Sequence, residues 1–62
     1  MPGYERKKDA ILIEPNDVVQ WNGWKCVIAA LNETVLGVEY TKLYFEDGSS
    51  EHFHIYERLE VC

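Results

Sequence analysis

Two histidines, His52 and His54, are the residues best suited to hold a metal ion or to transfer a proton. Because they stand two positions apart, a β-strand would direct both imidazoles to one face, where Cys26 or Glu51 would have to complete a metal site. A structural zinc site needs four converging ligands, usually at short regular spacings, and this set has no such spacing. We therefore expect no metal site and interpret both histidines as solvent-facing side chains.

Ser49 and Ser50 lie close to His52, but a catalytic nucleophile needs an adjacent base and a third group that orients the base. The serines follow Asp47-Gly48, so the sequence places them in a turn, where serine hydroxyls bond to the backbone. The glycines are isolated and form no phosphate-binding loop. A chain of 62 residues also has little room for a cleft that excludes water. We predict that the protein is not an enzyme and needs no cofactor.

The charge is acidic overall, with 6 basic and 11 acidic residues and a net charge of −5. Residues 1–9 differ from the rest, since Arg6, Lys7 and Lys8 outnumber the two acids there. The remaining acidic body repels phosphate backbones, whose neutralisation by Lys and Arg supplies most non-specific affinity for nucleic acid. It is typical of a solubilising surface, and it also suits a basic protein partner or mimicry of nucleic-acid charge.

The two cysteines, Cys26 and Cys62, are too few for a disulfide framework. We interpret Cys26 as a small core residue and Cys62 as an exposed thiol. No apolar stretch has the length or flanks of a secretion signal or of a membrane span. These features predict a reduced, cytoplasmic protein that does not interact with membranes.

Turn residues divide the chain into short β-rich runs. Asn22-Gly23 predicts a two-residue hairpin turn, across which Trp21 and Trp24 would face each other, and Asp47-Gly48 predicts a second turn of the same chemistry. Further predictions are a strand or edge addition over 10–13, a turn over 14–17, a turn over 32–34, and a strand over 35–46 that bends at Gly37.

Alternation along the strand over 35–46 separates two faces. One face carries Val38, Tyr40, Lys42 and Tyr44, and the other carries Glu39, Thr41, Leu43 and Phe45. Phe53 and Ile55 are predicted to enter the core beside Leu43 and Phe45. A 3-10 turn near Tyr56 and a closing strand with Leu59 and Val61 complete the pattern.

Five short strands in about fifty residues favour a strongly bent sheet that closes on itself and so removes its exposed edges. The predicted fold is therefore all-β, a small five-stranded SH3-like barrel with a 3-10 turn before the last strand. Residues 10–62 would form this single domain, and residues 1–9 a flexible N-terminal arm.

Residues 17–61 resemble a small SH3-like barrel of the Tudor or KOW type. The resemblance rests on Asp17-Val18-Val19, on Trp21-Asn22-Gly23-Trp24, and on the segment from Tyr44 to Glu51 with its aromatic, Asp-Gly and acidic pattern. Tudor domains bind methylated Lys or Arg in an aromatic cage, which implies a cage of Trp21 or Trp24 with Tyr44 and Phe53. The countercharge would come from Glu46, Asp47 or Glu51.

Three functions follow from these patterns. The first is a non-catalytic accessory or regulatory adaptor, of the kind that phages and other mobile elements encode, which binds a basic protein partner. The second is a nucleic-acid-binding barrel that stacks bases on Trp24, Tyr40 and Tyr44 and uses the basic arm. The third is self-association through an open sheet edge. The candidate binding residues are Trp21, Trp24, Tyr40, Tyr44, Glu46, Asp47, Glu51 and Phe53.

Overall fold

A computed structural model describes residues 6–62 of the chain. Within this range the protein forms six β-strands and one short 3-10 helix, which confirms the predicted all-β class with one strand more than expected. The elements in chain order are β1 (Arg6–Asp9), the 3-10 helix (Ala10–Leu12), β2 (Val18–Gln20), β3 (Trp24–Val35), β4 (Val38–Phe45), β5 (Ser50–His54) and β6 (Arg58–Val61).

The strands form one antiparallel sheet in the order β1-β6-β2-β3-β4-β5. The expected closure is absent among the described residues, because β1 and β5 lie at opposite edges and do not pair with each other. The 3-10 helix bridges them instead: the Ala10 N–H donates to the Glu57 carbonyl (2.8 Å) and the Ile11 N–H to the Ile55 carbonyl (3.0 Å). The result is an open sheet bent into a barrel-like shape.

The core lies on the concave side of this bent sheet. Thr41, Leu43 and Phe45 of β4 are buried, as the alternation predicts, and the Thr41 hydroxyl donates to Asn32 Oδ1 at 2.9 Å. The predicted residues of the last two strands and of the segment between them are buried as well. The buried apolar residues are Ala10, Ile13, Val19, Val27, Leu43, Phe45, Phe53, Ile55, Leu59 and Val61.

The Asn22-Gly23 hairpin is present, but its register differs from the prediction. Gln20, not Trp21, pairs with Trp24, so the loop has three residues, and Asn22 and Gly23 both have positive φ (55° and 101°). The two tryptophans therefore do not face each other. Trp21 instead packs against the buried core residues.

The Asp47-Gly48 hairpin is also present, with a different turn from the predicted one. The Gly48 N–H donates to the Phe45 carbonyl (3.0 Å) and the Phe45 N–H donates to the Ser49 carbonyl (2.9 Å). Only Gly48 in this loop has positive φ (89°). This is a three-residue connection that ends in a left-handed glycine, a common alternative to the two-residue turn.

The turn predicted over 32–34 is wrong, because those residues lie inside β3. The chain reverses at Leu36-Gly37 instead, and Val35 pairs directly with Val38. Both turn residues are left-handed, with φ of 52° and 78°, as a two-residue turn of this type demands. Sequence reasoning missed the turn because leucine rarely adopts this conformation.

The first segment and the last turn differ from the predictions too. Residues 6–9, which the sequence predicts as part of a flexible arm, form β1 through backbone pairing with β6. Residues 1–5 of that arm lie outside the described part of the chain. The 3-10 helix occupies residues 10–12, where a strand was expected. Near Tyr56 there is a turn rather than a 3-10 helix, closed by the Glu57 N–H and the His54 carbonyl (2.9 Å).

The β3–β4 hairpin makes the molecule long and narrow, with extents of 41 × 23 × 17 Å. β2 pairs only with Trp24–Cys26 of β3, whereas β4 pairs with β3 as far as Val35. A register shift between Val27 and Ala29 marks a β-bulge at the point where the hairpin leaves the body. Such bulges bend strands and increase their twist. No helix in the described range is long and apolar enough to cross a membrane.

Candidate binding surface

The Trp21 side chain is held by two core aromatic rings. It stacks on Phe45, with ring centroids 5.2 Å apart and an interplanar angle of 17°, and it meets Phe53 edge-on at 6.0 Å and 86°. Stacked and T-shaped pairs at these separations are favourable beyond the apolar area they bury. The ring therefore belongs to the wall of the core.

The open side of the Trp21 ring is covered by a cation from the same chain. The Lys25 ammonium lies 4.7 Å from the Trp21 centroid and 5.7 Å from the Phe45 centroid. It also forms an ion pair with Asp47 at 3.0 Å. Lys25 extends on the core side of β3 opposite Val19, so the strand register itself places the ammonium over the rings. An incoming methylated Lys or Arg would have to displace Lys25.

Asp47 is tied to the hairpin that follows it. The Ser49 hydroxyl and the Ser49 N–H both donate to Asp47 Oδ1. These hydrogen bonds, with the Lys25 hydrogen bond and charge, lower the pKa of Asp47 from 3.8 to about 2. The carboxylate is thus kept ionised, and its two oxygens already bond to Ser49 and to Lys25. Asp47 therefore stabilises the turn and pairs with Lys25.

Of the remaining cage and countercharge residues only Phe53 contacts Trp21, and the others do not converge on it. Phe53 is only 4% exposed and belongs to the core. Trp24 is 44% exposed but lies on the face of β3 opposite Lys25, because adjacent strand residues point to opposite faces. Glu46 is exposed in the β4–β5 loop and Glu51 is exposed on β5. The predicted set is therefore dispersed.

A second surface brings Tyr40 and Tyr44 together on the side of the sheet that faces away from the core. Directly paired residues share a face, so the register defines this surface, which we call the outer face. Its β3 members are Ala29, Leu31, Glu33 and Val35, its β4 members are Val38, Tyr40, Lys42 and Tyr44, and its β5 members are Ser50, His52 and His54.

Polar contacts organise the middle of the outer face. His52 Nε2 lies 2.8 Å from Glu33 Oε1, so the Glu33 side chain reaches across β4 to β5. The Tyr40 ring meets the His52 and His54 rings edge-on at 6.2 and 6.3 Å. The Lys42 ammonium lies 4.9 Å from the Tyr44 centroid. The histidines thus contact aromatic and acidic side chains, and no cluster of metal-binding residues is found among residues 6–62.

The end of the outer face nearest the Leu36-Gly37 turn is apolar and exposed. A shallow depression of about 280 Å³ is lined by Val35, Tyr40 and His52. Leu36, at the tip, is 98% exposed. The exposed apolar residues of this end are Leu31, Val35, Leu36 and Val38.

Sequence reasoning missed these apolar residues because it placed the turn over 32–34. With the turn at 36–37, Leu31, Val35, Val38 and Tyr40 alternate in phase on one side of a hairpin. The signal that could have found them is that Leu31 and Val35 on one side of Leu36-Gly37, and Val38 and Tyr40 on the other, fall on the same face when the turn is placed at 36–37. Comparisons with protein-family models, with curated proteins and with solved structures give no match.

Proposed function

We propose that the protein is a small, non-catalytic binding module that docks on a protein partner through the tip and outer face of the β3–β4 hairpin. The observation that carries the proposal is Leu36, which is 98% exposed in a left-handed backbone conformation. A bulky residue there is strained, and Asn or Gly would suit the turn better. Strained positions that gain nothing locally are concentrated at functional sites.

The neighbours of Leu36 support the same reading. Val35 and Val38 flank it as a directly opposed pair and are themselves exposed. Large contiguous apolar patches are uncommon on monomeric proteins and mark interaction sites. Leu36 would enter a pocket of the partner as an anchor, and the two valines would exclude water around it.

The charge favours a basic partner. The chain carries −5 overall, and Glu46 and Glu51 are exposed on the body. Complementary charge mainly speeds association and makes it sensitive to salt. The resemblance to Tudor and KOW barrels supports a binding role for such a fold, and we place it in the cytoplasm as an accessory or regulatory adaptor.

Photo-crosslinking in host cells tests the proposal. A photoreactive amino acid at position 36 or 38 should capture the same protein. One at position 56 should not, because Tyr56 lies in the turn between β5 and β6, away from the hairpin tip, although it is itself exposed (67%). With the purified partner, Leu36→Asn should weaken binding by about 30-fold, which corresponds to about 2 kcal/mol for an anchor residue. Equal capture from positions 36 and 56, or unchanged affinity of Leu36→Asn, would contradict the proposal.

Nucleic-acid binding is a second candidate, favoured by one observation. Lys42 lies between Tyr40 and Tyr44 on the outer face, and stacking on aromatic rings beside a cation is how single strands are bound. Titration with single-stranded and duplex oligonucleotides at low salt separates the two functions. Micromolar binding that is lost in Tyr40→Ala and Tyr44→Ala would favour nucleic acid, whereas no binding would favour the protein partner.

A further inference from the structure

The half of β3 that lies beyond the β-bulge has one unpaired edge within the described structure. β4 pairs with one side of Ala29–Val35, while β2 pairs only with Trp24–Cys26 on the other side. The backbone groups of Val27 on that side bond to Asn16 and Asp17. No backbone hydrogen bond among residues 6–62 reaches the same side of residues 28–35.

The alternation of backbone groups identifies which residues point to this edge. The Phe45 N–H bonds to Ser49 and so points to β5, which means that Tyr40, Lys42 and Tyr44 direct theirs to β3. Their partners Glu33, Leu31 and Ala29 in turn direct their own N–H and C=O groups to β4. Ala30, Asn32 and Thr34 therefore direct their N–H and C=O groups outward, away from β4.

Features that block edge pairing lie on β1 and on the segment that follows β5. The outer edge of β5 itself (Ser50–His54) is uncovered among the described residues, but it is shorter than the edge of residues 28–35. β1 carries the consecutive cations Arg6, Lys7 and Lys8, and the continuation of β5 is covered by the 3-10 helix. Charged side chains and covering segments are the usual means of blocking edge pairing. Residues 28–35 carry a single charge, Glu33, and its carboxylate is drawn across β4 to His52.

We propose that this edge pairs with the same edge of a second copy, antiparallel, to form a two-fold symmetric dimer. With the axis at Asn32, each Asn32 exchanges both backbone hydrogen bonds with Asn32 of the second copy, and Ala30 pairs with Thr34. Glu33 then lies opposite Leu31 of the second copy, so like charges do not face each other. The two outer faces become continuous, with Leu31 and Val35 near the seam.

The choice of a second copy follows from the edge itself. A two-fold interface requires a surface that is complementary to itself, and Ala30, Asn32 and Thr34 are symmetric about Asn32 in both backbone direction and small side-chain size. The net charge of −5 opposes association elsewhere on the molecule, and residues 28–38 contribute only Glu33 to it. This inference rests on the edge and is independent of the proposed docking through Leu36.

Sedimentation equilibrium over about a hundredfold range of concentration tests the dimer. The wild type should show twice the 7.2 kDa mass at the upper end. Thr34→Pro, which removes an outward N–H that β4 does not use, should be monomeric with an unchanged circular dichroism spectrum. If the proline variant fails to fold, Ala30→Lys is the alternative. It keeps every backbone group but places a charged side chain at the edge, which blocks strand pairing, so it should also be monomeric.

Two control variants separate edge pairing from association through the outer face. Val38→Lys and Leu36→Asn should both remain dimers, because neither changes β3. Amide exchange should be slowed at Ala30, Asn32 and Thr34 only in concentrated samples of the wild type and of the variants that dimerise, and at Leu31 and Glu33 in every folded variant. A wild-type monomer throughout the range, a dimeric Ala30→Lys, or a monomeric Val38→Lys would overturn the proposal.

Discussion

The Lys25 ammonium lies 4.7 Å from the centre of the Trp21 ring, where a methylated ligand would sit in an aromatic cage. Lys25 also forms an ion pair with Asp47 (3.0 Å), so the carboxylate that would balance the charge of a ligand is already paired. Trp21 thus offers an aromatic surface to a cation, but a cation of the same chain already covers it. A cation–π contact of this kind contributes about 0.5–2 kcal/mol, so Lys25 acts here as a structural residue.

Lys25→Met should lower the free energy of unfolding by about 1 kcal/mol, because the stem is retained while the charge over the ring is lost. Urea unfolding measures this change. Lys42→Met, which removes the cation near Tyr44 on the outer face, is the matched control with a smaller expected effect, because in the part of the chain that the structure describes Lys42 is not ion-paired as Lys25 is. Wild type should show no binding of a trimethyllysine peptide in calorimetry. Binding of that peptide by the wild type would show that Lys25 is readily displaced.

Asp47 should titrate near its pKa of about 2 in carboxyl carbon NMR. Because its pKa is lowered by folding, the stabilisation from its bonds is complete above the ordinary value of 3.8 and is lost as the pH falls through about 2. Ser49→Ala removes one donor and should raise the pKa toward 3.8. Ser50→Ala serves as the control and should leave it in place.

Leu36→Asn should stabilise the protein by about 1 kcal/mol, since asparagine tolerates the left-handed conformation that strains leucine. The midpoint temperature of thermal unfolding, Tm, should rise by about 4–8 °C for a domain of this size. Gly37→Ala should lower stability although a methyl group there would meet nothing within 4 Å, because its cost is in the backbone alone. Greater stability with weaker partner binding in Leu36→Asn would identify a residue retained for function.

Phe53→Ala should cost about 3–5 kcal/mol, as expected for a buried phenylalanine, and in so small a domain that loss should unfold most of the protein. Trp24→Ala should change stability by less than about 1 kcal/mol, since the ring is largely outside the core. The comparison is made by urea unfolding of both variants. Similar costs for the two would mean that Trp24 is packed more firmly than its exposure indicates.

The sequence predicted those parts of the fold that depend on alternation and on Gly-containing turns. Thr41, Leu43 and Phe45 are buried in the predicted phase, and hairpins form at both Asn22-Gly23 and Asp47-Gly48. It failed where tertiary contacts outweigh local preference: Asn32 is a turn former, yet it lies in β3 and accepts a hydrogen bond from Thr41. The predicted cage failed because loop register, which the sequence leaves open by one residue, decides where Trp21 points.

The position of β6 between β1 and β2 has a consequence for how the molecule folds. β3, β4 and β5 pair with neighbours in the chain, so their hairpins close over short loops and can form on the microsecond scale. β1 pairs with β6, whose residues lie some fifty positions away along the chain, as in the pair Arg6 and Val61. Pairing between such distant segments is slow. During synthesis the β3–β5 unit would therefore exist first, with its edge exposed, and the emergence of β6 would complete the other half of the sheet.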